Sequence, residues 1–277
     1  MSVEKLETLL DIATEAAFAG GAKLISYWGY LQDIQEKGSP GNLVTEADKA
    51  AEEAILKVLQ QYLPDHGILS EEAGKLGNIT SRYLWIIDPL DGTTNFAHQY
   101  PFSASSIGLL IDGVPQVGAV FSPILDELFL AAKGLGATCN QEPISVSQTT
   151  TLQKSLVITG FAYDRRETTD NNYKEFCQMC HLTQGVRRSG SAALDLSYIA
   201  HGRADGYWER GLSPWDIAAG IVILEEAGGK VTAYNNSPFD IKSGKILATN
   251  GKIHDLMSKA LIETPPLAYW DTTNRLN

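Results

Sequence analysis

The sequence is short of basic residues and of long apolar runs. Its 22 lysines and arginines are outnumbered by 33 aspartates and glutamates, giving a formal net charge of −11. This balance argues against nonspecific nucleic-acid binding, which needs a basic surface. No apolar stretch is long enough to cross a bilayer, and Met1 to Lys5 lack the basic and apolar segments of a signal peptide. We expect a cytoplasmic protein that binds neither nucleic acid nor membrane.

Cysteine is also scarce, with three residues in the chain. Cys177-Gln-Met-Cys180-His181 has the spacing of c-type haem attachment. That chemistry requires export, for which the sequence offers no signal, and a structural zinc site needs about four ligands. The spacing of Phe176, Met179 and Cys180 instead predicts the packed face of an amphipathic helix.

The segment from Trp85 to Asn95, Trp-Ile-Ile-Asp-Pro-Leu-Asp-Gly-Thr-Thr-Asn, is the most informative. The apolar run before Asp88 predicts a strand covered on both faces, and Asp91 follows three residues later. Two carboxylates at the end of a buried strand are costly to desolvate unless a positive charge meets them. A hard cation such as Mg²⁺ meets that need beside a phosphate.

The residues after Asp91 favour an anion site, although an alternative stays open. Gly92 allows a close approach of the backbone to a ligand, and the amides of Gly92, Thr93 and Thr94 can bind a phosphate if a helix begins here. Asp-Pro-x-Asp-Gly is also ordinary turn chemistry. A calcium loop of the EF-hand type does not fit, because Pro89 breaks its pattern.

Asp88-Pro-Leu-Asp-Gly-Thr-Thr-Asn95 resembles the signature of the inositol monophosphatase family. This family belongs to the Mg²⁺-dependent, lithium-sensitive phosphatases, which include fructose-1,6-bisphosphatases. Three further segments match in the expected order: Leu43-Val-Thr-Glu-Ala-Asp48, Ser70-Glu-Glu72, and Trp215-Asp-Ile-Ala-Ala-Gly220 with the Glu-Ala-Gly-Gly that follows at 226–229. The resemblance covers nearly the whole chain, from about residue 6 to about residue 262.

The family resemblance implies an α/β fold, the layered αβαβα sandwich of the sugar phosphatases. We expect an α+β half at about 1–145, an α/β half at about 146–262 and a loosely ordered tail at 263–277. Apolar spacing predicts a long first helix from about residue 6 and a second helix at 47–62. Antiparallel strands are predicted at 102–131, followed by alternating strands and helices from Ser155.

The resemblance further implies a metal site. Glu71 and Asp88, with the backbone carbonyl of Leu90, would hold one Mg²⁺, while Asp88, Asp91 and Asp216 would share a second. Two Mg²⁺ neutralise four carboxylates, so a phosphate dianion would favour a third ion arriving with the substrate. Considered alone, Glu71 is a solvated acid, and Asp216 is an acid at a helix N-terminus, where the helix dipole favours it.

By the same resemblance, water is the nucleophile, oriented by Thr93, with Glu71 or Asp48 accepting its proton. Thr45-x-x-Asp48 is also a capping box for the second helix, and the two interpretations are compatible. Asn42 stands where many relatives have Asp, and we expect it to tune the loop and the metal affinity. The chain has no Ser-His-Asp or Cys-His arrangement, and no covalent phosphoenzyme is expected.

The implied substrate is a small sugar- or polyol-phosphate monoester, with inositol 1-phosphate as the leading candidate. The resemblance places Ser191, Ala192 and Glu209 beside the substrate, together with Asp91, Asp216 and the amides at 92–94. On the sequence alone, Glu209 is equally an exposed acid paired with Arg210 or Lys230. Histidinol phosphate, fructose 1,6-bisphosphate and adenosine 3′,5′-bisphosphate remain alternatives, as does a regulatory role in ribosomal RNA transcription.

Relatives commonly form homodimers, so we also expect a pair of identical subunits. The apolar stretches at 107–111 and 117–121 would supply interface strands or, alternatively, the internal core. Arg187 and Arg188 precede a helix predicted at Ser189–Ala200 and would reach a partner, the substrate or solvent. A two-fold pair would leave both clefts open to small substrates.

Overall fold

The computed structural model describes residues 3–38 and 40–265. Most of the tail predicted at 263–277 lies outside the described residues. None of the helices in the described ranges is long and apolar enough to cross a bilayer.

Seven α-helices lie within the described residues. They are α1 Val3–Tyr27, α2 Glu46–Tyr62, α3 Thr93–Ala97, α4 Tyr173–Leu182, α5 Ala192–Ala200, α6 Pro214–Glu226 and α7 His254–Ile262. The two long N-terminal helices are therefore confirmed. The capping box of α2 is confirmed as well, because Thr45 accepts a hydrogen bond from the backbone of the helix and Asp48 accepts one from the Thr45 N–H.

The N-terminal part of the chain builds a hairpin and an eight-stranded sheet. The strands are β1 Ile34–Glu36, β2 Leu43–Thr45, β3 Gly67–Ser70, β4 Gly74–Leu76, β5 Tyr83–Asp91, β6 Ala104–Ile111, β7 Val114–Ser122, β8 Glu127–Ala132, β9 Gly136–Cys139 and β10 Glu142–Pro143. Strands β1 and β2 pair with each other, and the large sheet has the order β10-β9-β8-β7-β6-β5-β3-β4. The antiparallel strands predicted at 102–131 are confirmed as β6, β7 and β8.

The later strands form a second, mixed sheet. They are β11 Leu156–Thr159, β12 Gly185–Arg187, β13 Gly206–Glu209, β14 Lys230–Thr232 and β15 Ile246–Thr249, in the order β12-β11-β13-β15-β14. β11 pairs in parallel with β12 and β13, whereas β15 pairs antiparallel with β13 and β14. The predicted alternation of strands and helices after Ser155 is confirmed.

The two sheets and six of the helices stack in five layers. α1 and α2 bury Ala13 and Ile55 against one face of the large sheet, while α5 and α6 lie between its other face and the second sheet. α4 and α7 cover the outer face of the second sheet through Met179 and Met257. This is the predicted αβαβα order, in which each sheet buries both of its faces against helices.

Glycines allow α6 to lie close to the large sheet. A Cβ atom on Gly108 would lie 2.8 Å from the Cβ of Ala218, and one on Gly118 would overlap with the carbonyl oxygen of Ala219. Because glycine has no Cβ, the helix backbone approaches the strands more closely than any other residue would permit. This contact fixes the start of α6, where Asp216 lies.

The structure decides one open alternative and shows two predictions to be wrong. The stretches at 107–111 and 117–121 were expected to face the internal core for the most part, and Ile107 and Val117 are fully inaccessible. Cys180 does not pack with Met179, because it is exposed on α4. The helix predicted from Ser189 begins at Ala192, since Ser191 is its N-cap and accepts a hydrogen bond from the backbone.

Candidate active site

Strand β5 carries two carboxylates of the predicted site at its end. Asp88 lies opposite Ser106 of β6, and Asp91 lies opposite Ala104, with a register shift between them. In a regular strand, residues three positions apart point to opposite faces. A bulge changes that direction. The charge of Asp91 helps to raise the pKa of Asp88, so the two carboxylates lie in one cluster.

Asp88 and Asp216 are each held by a backbone N–H. The Oδ1 atom of Asp88 accepts a hydrogen bond from Leu90 at 3.0 Å. The Oδ2 atom of Asp216 accepts one from Ser213 at 2.7 Å, which completes the capping box at the start of α6. A carboxylate anchored through one oxygen keeps its second oxygen for a further partner. The N-terminal position of Asp216 on a helix is therefore compatible with a ligand role.

Asp91 joins β5 to the start of α5. Its Oδ2 atom accepts hydrogen bonds from the hydroxyl of Ser191 and from the N–H of Ala193, each at 2.7 Å. Two predicted substrate residues, Asp91 and Ser191, are thus in direct contact, with Ala192 between the two donors. The contact links the large sheet to the helix layer behind it.

Glu71 lies in the turn that joins β3 to β4. Its N–H donates to the carbonyl of Ile87 at 3.1 Å, which brings the turn beside Asp88. Its side chain accepts a hydrogen bond from the ammonium group of Lys37 at 2.9 Å, and Lys37 also contacts Glu72. The sequence did not point to Lys37. An adjacent pair of acids signals a need for positive charge, but not which residue supplies it.

Three carboxyl groups of the cluster, those of Asp88, Asp91 and Asp216, have a raised pKa. Burial is the largest cause of the raised pKa of Asp88, Asp91 and Asp216, and repulsion by neighbouring carboxylates, including Glu71, adds to it. The pKa of Asp91 rises to about 7. Burial lowers the pKa of Lys37, but Glu71 and Glu72 together outweigh burial and raise it. The cluster therefore has an unmet demand for positive charge.

The donor atoms are of the type that Mg²⁺ prefers, but the side chains would have to move closer together to bind an ion. Buried carboxylates and the carbonyl of Leu90 are hard oxygen ligands of the kind Mg²⁺ prefers. Within residues 3–38 and 40–265, however, no three Asp, Glu, His or Cys side chains converge closely enough to hold an ion as they stand. Lys37 engages Glu71 at 2.9 Å, so binding of an ion by Glu71 would require this ion pair to open.

Thr93 and Asp48 form the predicted catalytic pair. The hydroxyl of Thr93 lies 3.1 Å from both the Oδ1 atom of Asp48 and the carbonyl of Leu90. The other oxygen of Asp48 accepts hydrogen bonds from the N–H and the hydroxyl of Thr45. Burial raises the pKa of Asp48 to about 6, against the lowering effect of the Thr45 hydrogen bonds. Asp48 therefore caps α2 and also contacts Thr93, and its role as proton acceptor stays a prediction.

A short helix begins where the sequence predicted one. Gly92 adopts a φ of +93° as the N-cap of α3, and Thr93 and Thr94 are its first residues. A side chain at Gly92 would be strained by this φ and would lie 2.9 Å from the carbonyl oxygen of Phe102. Thr94 is exposed to solvent.

Asn95 is a residue of the site whose role the sequence analysis missed. Its side-chain amide donates to the carbonyls of Phe102 and Ser189, at 2.7 and 2.8 Å. It therefore ties α3 to the segment that carries Ser191. Its place at the end of the signature was the only available signal, because both of its acceptors are backbone atoms.

Glu209 lies at the end of β13 and is half-buried. The hydroxyl of Tyr207 donates to it, and Gly160 leaves room for its carboxylate. Burial raises the pKa of Glu209 to about 7, while Tyr207 and Arg188 act to lower it. A half-buried acid with a raised pKa beside a cluster of carboxylates is typical of a functional site.

The alternative of a surface ion pair for Glu209 is wrong. Arg210 forms its ion pair with Asp164 instead, and Lys230 forms its ion pair with Asp255. The negative charge of Asp91 is among the causes of the raised pKa of Glu209, so Glu209 lies near the carboxylate cluster.

Tyr163 lies at the mouth of the site. Its pKa is raised to about 12, first by burial and then by the negative charge of the carboxylates of Glu71, Asp216, Asp91 and Asp88. Nearly half of its side chain is nevertheless exposed, at 47%. The hydroxyl therefore lies within electrostatic reach of the carboxylates, while much of the side chain faces solvent. No role for this residue was predicted from the sequence.

Comparison with known proteins identifies the scaffold. The sequence profile of the inositol monophosphatase family matches residues 5–264. The chain belongs to the inositol monophosphatase family. It is thus a phosphoric monoester hydrolase by family, and the predicted resemblance and layered fold are confirmed.

Individual members of the inositol monophosphatase family match over most of their length. An inositol-1-monophosphatase of Synechocystis sp. is 61% identical over 264 residues, covering 95% of this chain and 92% of that protein. The solved inositol monophosphatase of Anabaena (Nostoc) sp. has a TM-score of 0.89 and 61% identity, covering 96% of this chain and 100% of that one. The Nus factor SuhB of Pasteurella multocida is 40% identical over 252 residues, covering 90% of this chain and 93% of that protein.

Proposed function

We propose that the protein hydrolyses a small phosphomonoester, with myo-inositol 1-phosphate as the preferred substrate, by direct attack of water. The proposal rests chiefly on one observation. Carboxylates from separate parts of the chain meet at the end of β5, where burial and the charges of neighbouring carboxylates, including Glu71, raise the pKa of Asp88, Asp91 and Asp216. The name of the Synechocystis relative supports the choice of substrate.

Glu71, Asp88 and the carbonyl of Leu90 would hold one Mg²⁺, and Asp88, Asp91 and Asp216 a second. When bound, these ions would neutralise the phosphate and lower the pKa of the attacking water. A third ion would arrive with the substrate, since two ions only balance the four carboxylates. Mg²⁺ titration by calorimetry, with and without inorganic phosphate, would count the sites.

Thr93 and Asp48 are suited to handling the nucleophile. When the Thr93 hydroxyl donates to Asp48, its lone pairs can accept a hydrogen bond from water and orient that water towards phosphorus. As the water oxygen bonds to phosphorus, its proton passes through the Thr93 hydroxyl to Asp48. The bond from phosphorus to the ester oxygen breaks, and that oxygen takes a proton from solvent water and leaves as the alcohol. A pKa of about 6 suits a proton acceptor at neutral pH. Glu71 is the alternative acceptor, but it is engaged by Lys37.

Glu209, Ser191 and Ala192 would bind the alcohol part of the substrate. The carboxylate of Glu209 can accept hydrogen bonds from polyol hydroxyls, and the backbone near Ala192 lies beside Asp91. The Gly92, Thr93 and Thr94 amides would bind the phosphate. This arrangement favours a compact, hydroxyl-rich leaving group.

A substrate panel tests the proposal directly. Purified protein at millimolar Mg²⁺ is assayed on inositol 1-phosphate, histidinol phosphate, fructose 1,6-bisphosphate and adenosine 3′,5′-bisphosphate, ranked by kcat/KM. We expect inositol 1-phosphate to rank first and lithium to inhibit the reaction. A tenfold preference for another ester would replace the leading substrate. A single turnover in ¹⁸O-water should label the released phosphate and leave the protein unlabelled.

The identity to SuhB favours a second candidate function, a regulatory binding role. Purified protein that turns over none of the four esters would favour that role over the enzyme.

We further propose a cytoplasmic homodimer, with the family resemblance as support. Light scattering should give twice the 30.1 kDa chain mass, and the chain mass itself would count against the dimer.

A further inference from the structure

Helix α2 carries a second buried acid besides Asp48. Glu52 follows Asp48 by one helical turn, so the two side chains leave the same face of the helix. Glu52 is only 7% exposed. A buried carboxylate is costly unless hydrogen-bond donors surround it, which makes its partners informative.

Glu52 binds the turn between β3 and β4. One of its oxygens, Oε1, accepts hydrogen bonds from the N–H of Ala73 at 2.9 Å and from the N–H of Glu72 at 3.2 Å. The same oxygen accepts a short hydrogen bond from the hydroxyl of Ser70. Hydrogen bonds to an ionised acceptor are roughly twice as strong as neutral ones. Glu52 therefore fixes the backbone on both sides of Glu71.

The other side of this turn is fixed by β5. The N–H of Glu71 donates to the carbonyl of Ile87, the residue that precedes Asp88. With Glu52 on one side and β5 on the other, the turn has little freedom to rotate. Glu71 is thereby directed towards Asp88, whose pKa it raises.

The charge of Glu52 does not by itself explain its presence. Glu72 already has a raised pKa, caused chiefly by burial, and the negative charge of Glu52 adds to it. A further negative charge beside an acidic pair is unfavourable. Glu52 therefore contributes through the position of its acceptor oxygen, which fixes the geometry of the turn.

We propose that Glu52 is a positioning residue that holds the 70–73 turn so that Glu71 is presented to Mg²⁺, and that it thereby sets the Mg²⁺ affinity. This inference rests on the metal site of the proposed function. It makes α2 the common support of the site, since Asp48 reaches Thr93 from the same helix.

Two substitutions separate position from charge. Glu52→Gln keeps an acceptor oxygen at the same reach but removes the charge, whereas Glu52→Asp keeps the charge but withdraws it by one methylene. Glu53→Ala is the matched control, because Glu53 is the neighbouring acid of the same helix and is exposed. Mg²⁺ affinity is measured by calorimetry on the full chain without substrate, and urea unfolding is measured in parallel.

We expect Glu52→Asp to weaken Mg²⁺ binding about 10- to 100-fold, as loss of a residue that orients a metal ligand typically does. Glu52→Gln should stay within about threefold of the wild type, since it preserves the acceptor. The Glu53→Ala control should bind Mg²⁺ like the wild type. kcat/KM on the best ester should follow the same order.

The inference would be overturned if folded Glu52→Asp bound Mg²⁺ with wild-type affinity. It would also be overturned if Glu52→Gln lost as much Mg²⁺ affinity as Glu52→Asp, because the effect would then come from charge. A change in unfolding free energy without a change in Mg²⁺ affinity would reduce Glu52 to a structural role and also overturn it. Failure of the proposed function looks different. In that case the wild type binds Mg²⁺, and the variants rank as expected, but no ester is hydrolysed.

Discussion

One buried histidine, His254 at the start of α7, should contribute stability that is lost as the pH falls. Its side chain is fully inaccessible to solvent. Its Nε2 atom lies 2.8 Å from the hydroxyl of Thr232, and its Nδ1 atom lies 2.9 Å from the hydroxyl of Thr249. The tautomer follows from these partners.

The Thr232 hydroxyl donates its hydrogen to the carbonyl of Ala233, so it must accept from the ring, and Nε2 carries the proton. The Thr249 hydroxyl accepts from the N–H of Gly251 and can donate to an unprotonated Nδ1. With His254 neutral, both ring nitrogens and both threonine hydroxyls have a hydrogen-bond partner. A second proton, on Nδ1, would face the hydrogen of the Thr249 hydroxyl and deprive that hydroxyl of its acceptor.

Burial accordingly lowers the pKa of His254 to about 4, with repulsion by Lys230 adding to the effect and Asp255 opposing it. The unfolded chain, with a histidine pKa of about 6.5, binds the proton more readily. Stability is therefore complete above pH about 6.5 and falls as the pH drops towards about 4. From these two values the loss between pH 7.5 and pH 4.5 is about 2.5 kcal/mol.

Urea unfolding followed by circular dichroism across this pH range measures the effect. Asp48, Asp91 and Glu209 have raised pKa values, so their linkage has the opposite sign and stabilises the fold as the pH falls. The wild type must therefore be compared with His254→Gln, which cannot titrate. The difference in unfolding free energy between the two should shrink by about 2.5 kcal/mol as the pH falls. A difference that does not change with pH would refute the argument.

Three further predictions follow from the site and the packing. Asp88→Asn should lower kcat about a hundredfold or more, the effect of losing several kcal/mol of charge stabilisation. Without Mg²⁺ it should unfold at no lower urea concentration than the wild type, because repulsion within the cluster is relieved. Near-normal activity would disprove the ligand assignment. Gly118→Ala should cost about 1–3 kcal/mol by overpacking against α6, whereas Gly185→Ala, with its nearest new contact at 3.4 Å, serves as the control in the same thermal melt. The exposed Cys177 and Cys180 should react rapidly with a disulfide reagent and buried Cys139 slowly. Three equally fast thiols would contradict the described burial.

Local patterns in the sequence determined much of the fold. The helical spacing of α1, the capping box of α2 and the apolar run of β5 each depend on residues only a few positions apart. Such patterns fix helices, strands and their ends, because hydrogen bonding and side-chain direction are set within one or two turns. The acidic signature likewise pointed to the carboxylate cluster before its geometry was known.

Only the tertiary structure decided which distant residues meet. Lys37 reaches Glu71 and Glu72 because the hairpin of β1 and β2 leads into α2 beside the 70–73 turn. The apolar segment at 107–111 was expected to face the core for the most part, and the helix layers on both faces of the sheet place it there. Cys180 is exposed because the periodicity of a helix defines a face but not which neighbour covers it. Glu209 packs beside Gly160 for a similar reason, since such a contact depends on how the layers pack and not on the residues next to it in the chain.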